Sequence, residues 1–241
     1  MNLIYDGSYQ GLLTSLYTAT KKKNVSDIYT STYQRDIFNK NKKIVTDCII
    51  AKKMNNYLKE KYGQKFIKDI YYANLSNSDK KGTYILNFYN LARKTKFDIN
   101  TIYSHPDALP VNELSYKVGF EKHRFLGLLR FSELNNILVA KYEPDNNITE
   151  LLMAHFADRL ASFKFILIDV NRKLAGIYNQ SEWVVKSDFN LSHIYTNQTD
   201  EFETMWKNYF QVATIKSRVN HKLQRQYLPK RYLKYLPEFK S

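Results

Sequence analysis

The sequence predicts an α+β protein with a helical N-terminal half, a central mostly antiparallel sheet with one packed helix, and C-terminal helices with a basic tail. Apolar residues recur with a helical period from about residue 49 to 96, and the period changes to two after residue 124. Lys and Arg accumulate after residue 214. We expect two regions, 1–110 and 111–241. Because no low-complexity linker separates them, they could also form one continuous domain.

The first region is predicted to begin with a strand, a turn and a helix. The apolar run 2–5 ends at Asp6-Gly7-Ser8, and an amphipathic helical pattern follows, for which Asp6 or Ser8 could be the N-cap. Segments 25–31 and 42–47 are candidate short strands. The region is therefore mainly helical with short strands.

The second region is predicted to hold a helix over 111–124 and then a run of strands. Asn and Arg-Lys turn signals separate some of them. The predicted strands are 125–134, 136–144, 163–170, 173–179 and 182–189. A helix over 147–161, capped by Asp145, Asn146 or Asn147, lies among these strands, and a last helix covers 199–217.

Composition excludes several classes of protein. Of the 241 residues, 44% are hydrophobic and 15% aromatic, which is typical of a folded chain. The single cysteine, Cys48, cannot form an internal disulfide, hold an iron–sulfur cluster or complete a thiolate zinc site, so we expect no cofactor. The first residues lack the pattern of a signal peptide, and no apolar run could span a membrane, so a cytoplasmic protein with no membrane contact is expected.

The net charge of +14 favours a polyanionic partner, although an A+T-rich coding sequence could supply part of the Lys excess. Segment 215–241 carries eight cations, one acid (Glu238) and three interleaved tyrosines, which gives it a net charge of +7. Cations bind phosphates and aromatic rings stack on unpaired bases, so the segment predicts nucleic-acid contact. The alternative is a solvated terminal helix whose tyrosines pack on the core.

The stretch "MAHFADRL" places His155, Asp158 and Arg159 at helical positions i, i+3 and i+4. Three interpretations stay open. His155 and Asp158 could form an acid/base pair, or hold a metal with Glu143 or Asp169, although a single histidine is a weak metal signal. The favoured interpretation is a structural network that seats the helix against the sheet, with Asp158 paired to Arg159 or Arg130.

The stretch "GFEKHRFLGLLRF" places Glu121, His123, Arg124 and Arg130 where a helix is predicted to become a strand. Arg130 lies between Leu129 and Phe131, so strand alternation would put it on the opposite face. If that face is covered, Arg130 needs a phosphate or a carboxylate partner such as Glu143 or Asp145.

Four blocks of sequence carry a resemblance to a known family: "YDGSYQGLL", "EKHRFLGLLRFSEL", "YEPDNNITELLMAHFADRLASFKFILIDVNRKLAGIY" and "MWKNYFQVATIKSRVNHKLQRQYLPKRYLKYLPE". Together they resemble a bacterial family of DNA metabolism proteins. Its members are typically encoded beside a radical-SAM protein thought to modify or repair DNA. A related domain of unknown function is found fused to uracil-DNA-glycosylase-like domains.

The resemblance carries over a set of motif residues to this chain. They are Glu121, His123, Arg124, Gly127, Arg130, Phe131, Glu143, Pro144, Asp145, His155, Phe156, Asp158, Arg159, Asp169, Arg172, Arg218, Pro229, Lys230, Arg231 and Tyr232. Leu160 stands where the family usually has Phe, and Phe165 where it often has Trp, so apolar packing is kept. Leu233 replaces a frequent Trp, which would weaken a stacking contact there.

These observations support three hypotheses. The first is a DNA-binding protein that presents single-stranded or damaged DNA to the radical-SAM partner. The second is a DNA-processing enzyme, a base-excising enzyme or a hydrolase, and the third is a partner of the radical-SAM protein that never touches DNA. The candidate catalytic residues are His155, Asp158, His123 and Asp169. The candidate nucleic-acid contacts are Arg124, Arg130, Arg159, Arg218, Lys222, Arg225, Lys230, Arg231 and Tyr232.

Overall fold

A computed structural model describes residues 1–22, 24–30, 40–95, 103–189, 201–228 and 230–239, without the side chains of 201–204, 216, 221, 225, 227, 230 and 231. The chain forms two compact units, Met1–Phe120 (unit 1) and Glu121–Ser241 (unit 2). The α+β class is confirmed. Within the described ranges, no helix is both long and apolar enough to cross a bilayer.

Unit 1 contains a three-stranded parallel sheet with the strand order β2-β1-β3. Its strands are β1 (Asn2–Tyr5), β2 (Asp27–Thr30) and β3 (Asn41–Lys43). β2 lies within the strand predicted over 25–31. β3 ends before the predicted Ile44 and Val45; the side chain of Val45 is 84% exposed, so this residue has no buried face to hold it in a sheet.

The turn after β1 explains where the first helix begins. Gly7 has a φ of +88°, a left-handed value that favours glycine. Ser8 is the N-cap, because its Oγ accepts a hydrogen bond from the N–H of Gly11 at 2.9 Å. Asp6, the other predicted cap, instead accepts from the N–H of Ser8 at 2.9 Å and fixes the turn.

The helical stretch predicted over 49–96 is interrupted between Leu75 and Lys81 and is also kinked at Gly63, whose φ of +85° and ψ of 172° are not helical. The helices that begin in unit 1 are α1 (Tyr9–Lys21), α2 (Cys48–Leu75), α3 (Lys81–Lys94) and α4 (Leu109–Leu128). Asp47 caps α2 through hydrogen bonds from the N–H groups of Ile49 and Ile50. The core of unit 1 includes a stacked pair, Phe66 and Phe88, with ring centroids 4.6 Å apart.

The strand predicted over 125–134 is wrong in its first part, because α4 continues to Leu128 and the strand β4 covers only Ser132–Leu134. Phe125 is buried on this last turn, with its ring centroid 5.4 Å from that of Tyr142. The first apolar residues after 124, Phe125 to Leu128, therefore lie in a helix. Arg130 lies in the connection between α4 and β4 and is not in a strand.

Unit 2 is built on a five-stranded mixed sheet with the order β4-β5-β6-β7-β8. The remaining strands are β5 (Ile137–Tyr142), β6 (Phe165–Asp169), β7 (Leu174–Tyr178) and β8 (Trp183–Lys186). Only the β5–β6 pairing is parallel, because a helix connects these two strands. Asn135 and Asn136 have φ values of +50° and +62°, as a tight type I′ hairpin requires.

A helix, α5 (Thr149–Arg159), packs on this sheet, which confirms the predicted packed helix. Its buried side chains include Leu152, Met153 and Phe156. Gly176 on β7 permits the close packing, because a Cβ there would lie 2.3 Å from the sulfur of Met153. The predicted cap is wrong: Ile148 is at the N-cap position and makes no side-chain hydrogen bond.

Short helices close unit 2. They are α6 (Glu201–Ala213), α7 (His221–Tyr227) and α8 (Lys230–Leu233), with 3₁₀ turns at Lys216–Arg218 and Pro237–Phe239. The helix predicted over 199–217 is shorter, since α6 ends at Ala213; residues 199 and 200 lie outside the described ranges. The C-terminal helices of the predicted fold are confirmed.

Candidate nucleic-acid interface

The three ionisable residues of the HFADR motif (155–159) do not pair with one another or with residues of the sheet. His155 is half-buried, with its ring edge-on to Phe156, while Asp158 and Arg159 are exposed. None of His155, Asp158 and Arg159 makes a hydrogen bond or ion pair with a described residue. Phe156 and its apolar neighbours seat the helix instead, because they occupy the face that packs on the sheet. The expected network around Asp158 is therefore not formed by the described side chains.

Glu121 is the buried polar centre of unit 2. Its carboxylate accepts hydrogen bonds from the N–H of Asp145 at 2.7 Å and from the N–H and the side-chain amide of Asn146 at 2.8 and 2.7 Å. The hydroxyl of Tyr232 donates a fourth, at 3.2 Å. One acid on α4 thus holds both the loop after β5 and the C-terminal segment. Nearby on α4, His123 is exposed and Arg124 is half-buried.

Asp169, at the end of β6, is fully buried and paired. It accepts hydrogen bonds from the N–H and the guanidinium of Arg172, at 3.1 and 3.0 Å. Arg172 also donates to the carbonyl oxygens of Pro144 and Asp145. Burial raises the pKa of Asp169, and the opposing effect of Arg172 is smaller. The pair joins two neighbouring loops.

Arg130 has a carboxylate partner, which is Glu238 and not the predicted Glu143 or Asp145. The guanidinium donates to Glu238 Oε1 at 3.0 Å and to the carbonyl oxygen of Gly127 at 2.9 Å. Its Cζ lies 5.1 Å from the ring centroid of Trp206, and the Trp206 indole N–H donates to Glu238 Oε2 at 2.9 Å. Arg130 is thus engaged by the C-terminal segment.

Glu143 makes a third contact of the same kind. It accepts hydrogen bonds from the ammonium of Lys234, at 2.6 Å, and from the hydroxyl of Tyr235. These two donors hold the pKa of Glu143 below its ordinary value. We call these contacts, Glu121–Tyr232, Arg130–Glu238 and Glu143–Lys234/Tyr235, the C-terminal clasp.

The clasp changes the interpretation of the tail's tyrosines. Tyr232 is only 4% exposed, and its ring packs edge-on against Phe125 at 4.8 Å, so it offers no open face to a base. Tyr235 is half-buried and bound to Glu143. The packing expected under the alternative interpretation thus describes these two residues.

The earlier part of the segment is open. Arg218 and Lys222 are exposed, and neither forms an ion pair with a described residue. The side chains of Arg225, Lys230 and Arg231, which were also predicted to contact nucleic acid, lie outside what the structure describes. Arg218, Lys222 and the exposed Arg159 therefore remain candidate phosphate contacts.

Glu121, Arg130, Glu143 and Asp169 are each paired, and they hold loops and the C-terminal segment together. No cluster of three His, Cys, Asp or Glu suited to a metal is found among the described residues. Sequence reasoning missed Glu238 and Trp206 as partners of Arg130. The one available signal was that Glu238 is the only acid in an otherwise cationic segment.

Comparison with known proteins places the chain in a family. No curated protein matches it. A family model described as a domain of unknown function, DUF4130, matches residues 79–238, which include three of the four quoted blocks and the whole C-terminal clasp. Because the match covers more than half of its 241 residues, the chain belongs to the DUF4130 family.

Proposed function

We propose that the protein binds DNA through the exposed part of its C-terminal segment and serves DNA repair or modification beside a radical-SAM enzyme. The observation that carries the proposal is charge: segment 215–241 holds +7 of the total +14. Lysines and arginines that neutralise phosphates release condensed counterions, which gives affinity without sequence readout.

The position of the one acid in the segment supports the proposal. The side chain of Glu238 is only 5% exposed and is engaged by Arg130 and Trp206. It therefore does not neutralise cations on the outer surface of the segment. Arg218 and Lys222 keep their charges available for phosphate groups.

The DNA-repair context and the radical-SAM partner rest on the resemblance carried by the sequence blocks. The match to DUF4130 covers the last three of these blocks but assigns no activity. A single-stranded or damaged site is the expected form of DNA, because an enzyme that acts on bases must reach them outside the duplex stack.

Binding to fluorescently labelled DNA, followed by anisotropy, tests the proposal. We expect affinity to fall steeply as salt rises from about 50 to 200 mM. Arg218→Ala with Lys222→Ala should weaken binding by about 1–3 kcal/mol and lower the slope of log K against log salt by roughly 1–2. The matched control is Lys164→Ala with Lys186→Ala, which removes two exposed charges elsewhere in unit 2. Absence of DNA affinity at low salt would contradict the proposal.

A second candidate function, protein interaction, is favoured by an apolar stripe on α6. Met205, Tyr209 and Val212 follow one another at helical spacing and are 63%, 64% and 87% exposed. The partner that the resemblance implies for this stripe is the radical-SAM enzyme. If this is right, the two purified proteins should co-elute in gel filtration, and Val212→Asp should separate them without changing DNA affinity. Failure to co-elute would remove this candidate.

A further inference from the structure

A groove of about 710 Å³ lies between α2 and α4 in unit 1. This volume is within the range of sites that hold a small ligand or one unit of a larger one. Its lining residues recur at helical spacing on the facing sides of the two helices. The residues that matter for recognition are Lys65, Lys68, Tyr72, Tyr103, Tyr116 and Phe120. We call it the aromatic groove.

The floor of the aromatic groove is fixed by Asp69. Its carboxylate accepts hydrogen bonds from the hydroxyl of Tyr103 at 2.6 Å, the hydroxyl of Ser115 at 2.8 Å and the ammonium of Lys65 at 2.8 Å. Three donors satisfy this acid, so it opposes an incoming anion only weakly. The same contacts hold the Tyr103 ring, whose centroid lies 3.4 Å from the Lys65 nitrogen.

The wall contributed by α4 is an exposed aromatic pair. Tyr116 and Phe120 are 70% and 44% exposed, and their rings are stacked with centroids 5.9 Å apart and an interplanar angle of 11°. Burying these two large aromatic rings against a partner is favourable because it removes their apolar surface from water. Their flat faces suit a flat aromatic ligand.

The cations at the groove suit an anion attached to that ligand. Lys68 is exposed, with its nitrogen 5.4 Å from the ring centroid of Tyr72. Lys65 is paired with Asp69, so Lys68 leaves the lining with one net positive charge. Aromatic faces beside a lysine match an unpaired base and its phosphate better than an apolar peptide.

We propose that the aromatic groove binds unpaired bases of single-stranded DNA, with Tyr116 and Phe120 stacking on a base and Lys68 contacting a phosphate. The inference rests on the proposed DNA-binding function and adds to it the strand form that is bound. The C-terminal segment supplies charge, whereas the aromatic groove supplies the stacking that distinguishes a single strand from a duplex.

The test uses a single-stranded oligonucleotide that contains the fluorescent base 2-aminopurine, whose emission is quenched by stacking. Wild-type protein should quench it. The double variant Tyr116→Ala, Phe120→Ala should lose the quenching and bind about 5- to 100-fold more weakly, while binding to duplex DNA stays unchanged. Phe163→Ala, which removes a 54%-exposed ring in unit 2, is the matched control. Lys68→Ala should weaken binding, and Lys59→Ala, which removes an exposed lysine of α2 before the kink at Gly63, should not. Circular dichroism should confirm that every variant is folded.

The outcomes separate this inference from the function on which it rests. Salt-dependent DNA binding with unchanged quenching in the double variant would overturn the aromatic groove and leave the proposed function standing. Equal weakening of duplex and single-strand binding would also overturn it, as would tighter binding of the same sequence as RNA. If the wild type binds no DNA at low salt, both proposals fail together.

Discussion

Two groups of polar residues in unit 2 differ in whether they are paired with other described residues. The acids and the arginine of the C-terminal clasp are buried or half-buried and bound to partners far along the chain. His155, Asp158 and Arg159 have a comparable mixture of charges but make no hydrogen bond or ion pair with a described residue. The clasp residues lie against the C-terminal segment, whereas His155, Asp158 and Arg159 lie off the buried face of α5 formed by Leu152, Met153 and Phe156. A sequence motif rich in ionisable residues therefore does not by itself form a hydrogen-bonded network. The residues of the clasp, in contrast, are hydrogen-bonded to one another.

Removing the centre of the clasp should have the largest effect. Glu121→Ala leaves two backbone N–H groups, the side-chain amide of Asn146 and a tyrosine hydroxyl without their acceptor, so we expect a loss of about 3–5 kcal/mol in the free energy of unfolding. Glu121→Gln should cost less, about 1–3 kcal/mol, because one amide oxygen still accepts. Urea denaturation measures both, and the exposed Glu182→Ala is the control, with a change within about 0.5 kcal/mol. An equally small change for Glu121→Ala would contradict the claim that the clasp stabilises unit 2.

Separating Arg130 from Glu238 should have the next largest effect. Glu238→Ala leaves the guanidinium short of its carboxylate and removes the acceptor of the Trp206 indole N–H, at an expected cost of about 1–3 kcal/mol. Trp206 fluorescence should shift to the red as its surroundings open.

A double-mutant cycle sharpens this result. Arg130→Ala and Glu238→Ala together should cost less than the sum of the single changes, because each single change leaves the other residue unpaired. Strict additivity would mean that the two side chains are not coupled in solution.

Acidification should loosen the third contact of the clasp by a smaller amount. The ordinary pKa of Glu143 is 4.5, and Lys234 and Tyr235 lower it in the folded state, so the contact stabilises the fold above that value. Its contribution is lost as the pH falls from about 5 through the lowered pKa. Near-ultraviolet circular dichroism of the tyrosines from pH 6 to 3 should follow this change. Glu143→Gln should remove it, and a midpoint above 4.5 in the wild type would contradict the assignment.

The smallest effect is expected for the HFADR motif. Asp158→Ala should alter the free energy of unfolding by less than about 0.5 kcal/mol, since the side chain is exposed and unpaired among the described residues. His155→Ala should cost at most about 1 kcal/mol, for a half-buried ring.

The same variants ask whether the motif takes part in catalysis. Because His155→Ala should stay folded, a loss of turnover on oligonucleotides with damaged bases would point to chemistry at this residue. Equal turnover in wild type and variant would exclude His155 from any reaction.

Local patterns were sufficient to predict much of the fold. β6 and β7 lie within their predicted ranges, and α5 within two residues of its predicted ends, because alternating and helical periods, with clear turn residues, specify short elements locally. The run after 124 was misassigned because "FLGLLRF" fits either period. Phe125 lies in the helix, and its ring packs against those of Tyr142 and Tyr232, which are distant in sequence.

The contacts of the candidate site could not be predicted in the same way. Arg130 was expected to need a phosphate or a carboxylate such as Glu143 or Asp145. Its carboxylate partner, Glu238, is 108 positions away, and nothing local specifies such a pairing. Likewise, the tyrosines of the tail were predicted to stack on bases, with packing on the core as the alternative. For Tyr232 the structure shows core packing, because its hydroxyl donates a hydrogen bond to the buried Glu121.

The clasp also has a consequence for the order in which this chain can fold. Glu121 cannot acquire the hydroxyl of Tyr232 until 111 further residues have been synthesised, and until then its burial would be only partly compensated. Contacts of such long sequence separation slow folding because a large loop must close before they form. During translation, unit 2 should therefore stay incomplete while most of it has already emerged, and a chaperone or a bound partner would have its best access to the exposed β-strands in that interval.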